Sequence, residues 1–374
     1  MKTSHFKSWM LFLVFLSTQL VTLTGAGLDF ELKKAYSKEF TADKATLLEL
    51  SNSYGKIDVK TWDKSAVKID VTVIIKASTK SKAEEKMEQI SINLAKNGNK
   101  IIGVTEIGDK EKSWWSGWTD FGNNTKMEIN YEVYMPAGMA SIIENKYGNI
   151  YLPDLKGKTS INLKYGNLQA RDIGNDLLMD ISYGKATVGI VKNLSGTLAY
   201  SDYRGTAAAV VTLTTKYSKV YLDNASTLTA SSKYDGYKLG SVGTITLTGA
   251  YDDIQIQSVN TATINTKYTG VDISSLNNTM TADISYGSMK IENLKTTVKN
   301  ITVNTSYAPV KIYGTVPAKI DISGKYFDAD LGSDFISKSN VKDGSTKEIK
   351  GFKISEKASA EIKIKTSYGD VIIR

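Results

Sequence analysis

The sequence predicts an all-β chain built as a parallel β-solenoid, and three observations predict it. A tyrosine returns every 17 or 18 residues through most of 145–326. The positions three, five and eight residues after it are predominantly apolar. The residues between successive tyrosines are too few for a crossover helix, so the units must stack to bury their apolar faces.

Tyr147, Tyr165 and Tyr183 are 18 apart. Tyr200, Tyr217, Tyr234, Tyr251 and Tyr268 follow at 17, Tyr286 at 18, and Tyr307 and Tyr326 at 21 and 19. Several carry the same phrase, as in Lys146-Tyr147-Gly148, Ser182-Tyr183-Gly184 and, near the end, Ser367-Tyr368-Gly369. After Tyr251 the apolar positions are Ile254, Ile256 and Val259; after Tyr268 they are Val271, Ile273 and Leu276. An apolar residue also recurs four before the tyrosine, as at Ile161, Met179, Leu213, Leu247 and Ile264.

Alternation with period two before the tyrosine gives a short strand with its apolar face, and the tyrosine, directed inward. The change of parity between the tyrosine and the third residue on places a bend at the Gly, Ser or Asp after it. A second short strand then carries +3 and +5, and a corner leads to +8. The eleven tyrosines from Tyr147 to Tyr326 therefore read as an internal structural ladder that sets the register of 17–18-residue coils. At about 4.8 Å per coil they make a rod of roughly 50 Å. A Tyr234→Ala substitution is then expected to cost roughly 3–5 kcal/mol, as a large-to-small core change. The spacing does not keep the six-residue rhythm of left-handed β-helices, so a right-handed coil is preferred.

Four parts follow: a signal peptide at 1–26, a small β-rich N-terminal unit at 27–141, solenoid repeats at 142–326, and a C-terminal loop or cap with a last coil at 327–374. In the N-terminal unit apolar alternation predicts strands near 46–50, 56–60, 67–75, 90–94, 100–105 and 127–135. Ala83, Met87 and Ile90 lie on one helical face, and Ser81 followed by Glu84 spells a capping box, so one short helix is expected over 81–90. Tyr54, with Ile57, Val59 and Trp62 after it, already fits the coil pattern. Residues 328–360 break the rhythm as a polar loop or hairpin that caps the rod, before Val371 and Ile373 complete a final coil.

Lys2 and Lys7, an apolar run at 10–21 and small residues at 24–26 read as a secretory signal cleaved after Ala26; an uncleaved anchor is the alternative. The protein is thus expected to be exported, to the periplasm, the outer surface or the medium. The chain has no cysteine and its one histidine, His5, lies in the signal. That excludes Ser-His-Asp and Cys-His nucleophilic sites and zinc sites built on imidazole or thiolate, and no metal or cofactor is expected. The net charge of +8 is spread along the chain without a polybasic run. It permits weak attraction to acidic polysaccharide or anionic headgroups, although a solvated surface is the preferred explanation, and nucleic acid is not expected as a partner.

The phrase Asn52-Ser53-Tyr54-Gly55-Lys56-Ile57-Asp58-Val59, the run Tyr131-Glu132-Val133-Tyr134-Met135-Pro136 leading into Asn145-Lys146-Tyr147-Gly148, and the tyrosine repeats beyond resemble the secreted bacterial putative-adhesin β-strand-repeat family. The resemblance covers nearly the whole mature chain. It implies a β-solenoid and carries no catalytic residue to transfer, and a fold does not fix a function.

Two sets of residues invite a functional reading. Trp114, Trp115, Trp118 and Phe121 cluster in a polar loop, where they can stack on sugar, anchor a membrane or partner, or simply cover the end of the core. Asp252 and Asp253, with Asp202, Asp223, Asp235 and Asp272 on nearby coils, suit the alternative of a polysaccharide-active enzyme, provided that carboxylates converge in a cleft. The same Asp types are also what a bend needs for its own geometry. The preferred reading is a non-enzymatic envelope or surface binding scaffold, whose partner is a glycan, an envelope component or a protein.

Overall fold

The structure is a computed structural model and describes residues 30–108 and 125–374. The chain forms two compact units, Met1–Tyr151 and Leu152–Arg374.

In the first unit, strands Leu47–Ser53 and Ile57–Thr61 flank Tyr54, and strands Ala140–Lys146 and Ile150–Leu152 flank Tyr147. The two coils lie in parallel register, Leu47 against Ala140 and Ile57 against Ile150. Around them the chain adds antiparallel strands. Ala66–Ala77 pairs with Phe30–Thr41 on one side and Thr125–Met135 on the other. Hairpin Ile90–Asn97 and Lys100–Ile107 joins Leu47–Ser53. All six strands read from the sequence are present. Phe30–Thr41 escaped notice because it alternates weakly: most of its residues are half-exposed, and five of its twelve are charged, as suits an edge. The helix runs Lys80–Glu88 and buries Ala83 and Met87. Its N-cap is Thr79 rather than Ser81, because the Thr79 hydroxyl is the group that accepts from the Lys82 N–H.

The second unit is the expected parallel solenoid. Strands Asp202–Lys216, Lys219–Lys233, Gly236–Ala250 and Asp253–Lys267 each run through a full coil and pair in parallel with a constant offset, Tyr203 with Val220 and Val220 with Tyr237. One extra residue near Asn277 shifts the register between Val259 and Thr261, and so makes that coil 18 long. Columns at −4, +3, +5 and +8 are buried, for example Leu247, Ile254, Ile256 and Val259. Stacking in register lets each coil complete the backbone hydrogen bonds of the one before it and bury its apolar side chains.

At the C-terminal end the spatial order departs from the sequence order. Strand Ala360–Ser367 pairs in parallel with Asn300–Ser306 on one side and Ala318–Lys325 on the other. Strand Val371–Ile373 likewise lies between Val310–Ile312 and Ala329–Asp330. The last coil in sequence is thus inserted between two earlier ones. The polar interruption holds an antiparallel hairpin, Phe335–Asp343 and Thr346–Lys353, and Thr346–Lys353 covers the free edge of Ala318–Lys325. The outer strand of that hairpin exposes Lys338 and Lys342, charges that oppose edge-to-edge pairing.

Candidate functional site

The tyrosines do not point inward. Every one from Tyr165 to Tyr326, with Tyr368, is between 39% and 58% exposed, against an expectation of burial. The reason is local. Each has a positive φ, between 51° and 63°, and so sits in the left-handed region. The change of parity falls on the tyrosine itself and not on the residue after it. Residues −1 and 0 both face out, +1 faces in, and the inward series continues at +3 and +5. The backbone stays paired through the bend: the N–H of Tyr200 donates to Lys216, that of Tyr217 to Lys233 and that of Tyr251 to Lys267, each to the main-chain carbonyl. Where glycine follows the tyrosine, close approach explains it, since a Cβ on Gly184 or Gly287 would meet a carbonyl oxygen of the preceding coil at 2.0 or 2.1 Å.

Eleven rings of the second unit form one continuous stack. Its order is Tyr165, Tyr183, Tyr200, Tyr217, Tyr234, Tyr251, Tyr268, Tyr286, Tyr307, Tyr368 and Tyr326, with centroids 4.6–5.0 Å apart and planes within 16° of parallel. Within the first unit, Tyr54 and Tyr147 stack at 5.1 Å. In such a stack the faces are occupied by neighbours, so the surface presents ring edges and hydroxyls along a line of roughly 50 Å.

Beneath the rings runs a polar ladder that sequence reading missed. In five successive coils the +1 side chain accepts from the +1 N–H of the coil before. Gly184 donates to Ser201 Oγ at 3.3 Å, Ser201 to Ser218 Oγ at 3.2 Å, and Ser218 to Asp235 Oδ1 at 2.6 Å. Asp235 donates to Asp252 Oδ1 at 2.9 Å and Asp252 to Thr269 Oγ1 at 3.2 Å. The hydroxyls of Thr215 and Ser232, two before their tyrosines, complete the carboxylates of Asp235 and Asp252. Burial holds both carboxyls above the usual range, against the hydrogen bonds that pull them down. The available signal was the recurrence of Ser, Asp and Thr immediately after the tyrosine.

The carboxylates proposed for catalysis are therefore spread over different surfaces. Asp235 and Asp252 lie inside as acceptors for the bend. Asp253 points out and accepts from Gln255 Nε2 at 3.1 Å. Asp202 lies two residues after its tyrosine, Asp272 four and Asp223 six, all exposed. Asp223 and Asp272 line a shallow charged depression with Arg204 and Lys238. Among the described residues no group of three or more acidic side chains is placed to hold a metal ion. Trp114, Trp115, Trp118 and Phe121 lie outside the described residues.

No family model matches the chain, and no curated protein matches its sequence. Solved structures do match. One is described as a "putative cell adhesion protein" from Clostridium sporogenes, at 10% identity over 91% of this chain and 98% of that one, with a TM-score of 0.18. A "putative adhesin" from Parabacteroides distasonis matches at 13% identity over 75% and 97%, with a TM-score of 0.32. A "putative lipid binding protein" from the same species matches at 11% over 91% and 96%, with a TM-score of 0.23. Among the described residues no helix is long and apolar enough to cross a membrane.

Proposed function

We propose that this chain is an exported, non-enzymatic binding scaffold of the cell envelope or surface, and that the tyrosine strip is its binding face. The observation that carries this reading is the unbroken row of eleven half-exposed rings. Soluble proteins seldom leave so long an aromatic feature open unless it meets something. Each ring is also held at a positive φ that a residue other than glycine adopts at a cost of about 1–2 kcal/mol, so the outward display is maintained against local strain. A solenoid fixes the spacing of the display without hinges. The scattered positions of the Asp side chains support a role without turnover. Trp114, Trp115, Trp118 and Phe121 are kept as a second contact point for the same class of partner, whether a glycan, an envelope component, a protein or a membrane surface.

The test is binding and turnover on a glycan array with the full-length mature protein. Bound, unaltered glycan is expected, with binding lost when Tyr217, Tyr234 and Tyr251 are changed together to Ser. Product release abolished by Asp253→Ala would overturn the reading, and so would binding indifferent to the tyrosine changes.

A further inference from the structure

Resting on the strip as the binding face, we infer that its ligand is an acidic polysaccharide extended along the stack. The residue before each tyrosine faces outward beside the ring, and in five coils it is lysine: Lys164, Lys216, Lys233, Lys267 and Lys325. Lys216 and Lys233 hold their ammonium groups 5.4 Å from the centroids of Tyr217 and Tyr234. None of the five forms an ion pair among the described residues, whereas lysines elsewhere on the coils do, as Lys290 with Glu292, Lys158 with Asp176 and Lys319 with Glu361. A row of uncompensated cations beside a row of phenols is complementary to a line of anions. The other flank, two residues after the tyrosine, is not cationic: Lys185 and Lys219 stand against Asp202, Asp253, Asp328 and Asp370.

The stacking decides what kind of anion fits. With neighbouring rings 4.6–5.0 Å apart, no nucleobase and no sugar face can enter between them. What remains outward is edges and hydroxyls, which hydrogen-bond to ring hydroxyls and carboxylates of a glycan. A bilayer needs side chains that insert over an area, and a strip one ring wide whose rings are locked against each other offers a line instead. The lysines are also spread along that line. Lys216 and Lys233 are one coil apart, Lys267 lies two coils further, and Lys164 and Lys325 stand at the two ends. One headgroup can bridge one adjacent pair, but only a polymer with recurring charge meets all five.

Electrophoresis of the mature protein through gels containing polygalacturonate, or a neutral β-glucan, tests this, with sedimentation on phosphatidylserine vesicles alongside. Retardation by polygalacturonate and not by the glucan is expected. Changing Lys216, Lys233 and Lys267 together to Ser should weaken it about tenfold. Raising NaCl from about 50 to about 500 mM should weaken it further. Thr229→Ser with Thr246→Ser, on an uncharged outward row of the same coils, should leave it unchanged. Equal retardation by both polymers, with loss in the tyrosine triple variant, would overturn the acidic ligand and leave the strip as the binding face. Binding to vesicles alone, retardation indifferent to the lysine changes, or no retardation by polygalacturonate would each overturn the inference. The glycan-array result with the tyrosine variant decides the wider reading separately.

Discussion

The ring of Tyr368 lies on that of Tyr307 with 1° between planes and 4.6 Å between centroids, the shortest step in the stack. The contact exists because the last coil of the chain enters between the coils of Tyr307 and Tyr326. Strand Ala360–Ser367 supplies backbone partners to both sides, so without it two parallel edges and the apolar side chains Ile301, Ile320 and Ile322 lose their cover. Deletion of residues 360–374 is expected to lower the urea midpoint and to open 318–359 to protease while the preceding coils stay protected. Uniform protection of 318–359 in the truncated chain would contradict this order of coils.

At Tyr234 the positive φ of 61° makes an unusual prediction. Replacement by Ala removes stacking on two neighbours at about 0.5–1.5 kcal/mol each, so the cost should be roughly 1–3 kcal/mol rather than that of a buried core residue. Replacement by Gly loses the same contacts but relieves about 1 kcal/mol of left-handed strain. Tyr234→Gly should therefore be at least as stable as Tyr234→Ala, the reverse of the usual order within a strand. Urea denaturation of both variants gives the answer, and a Gly variant clearly below Ala would rule out the bend described above.

Asp235 and Asp252 have carboxyl pKa values raised chiefly by burial. The folded chain then holds protons that the unfolded chain releases just above its ordinary value of about 3.9. Their contribution to stability is full below that value and is lost as pH rises through the raised folded values. Changing both to Asn removes this slope. Comparing urea midpoints at about pH 4 and about pH 7, the double variant should gain on the wild type as pH rises. A constant difference would mean that these carboxyls titrate normally.

Tyr203 and Tyr237 occupy equivalent inward positions two coils apart and differ in one hydrogen bond. The Tyr237 hydroxyl lies 2.6 Å from Thr215 Oγ1, whereas the Tyr203 hydroxyl is buried with no partner among the described residues. Tyr237→Phe is expected to cost about 1 kcal/mol, and Tyr203→Phe to be neutral or stabilising, because an unsatisfied buried hydroxyl is itself a penalty. Thermal unfolding of the two variants separates them, and equal losses would disprove the asymmetry.

Much of the coil was legible because a buried strand face writes its period into the residues. Ile254, Ile256 and Val259 repeat as Val271, Ile273 and Leu276, and only inward positions impose that constraint. The direction of the tyrosines was not legible. Alternation before and after Tyr234 is compatible with a bend on either side of it, and the sign of a single φ decides which side chains face out. Asp252 and Asp253 illustrate the consequence, since neighbours of one type lie inside and outside the same coil. The edge strand Phe30–Thr41 was hidden for the opposite reason, as half-exposed residues carry little pattern.

The sequence by itself determined a stacked parallel coil of 17–18 residues and its apolar interior, because local alternation and a fixed repeat require both. Only the tertiary structure decided that the tyrosines form an outer stack, that carboxylates line the bend beneath it, and that the last coil lies between two earlier ones. Those features depend on backbone handedness at one residue per coil and on pairing between distant strands; the residues carry only the recurrence of Ser, Asp and Thr after the tyrosine, which does not say which way the ring faces.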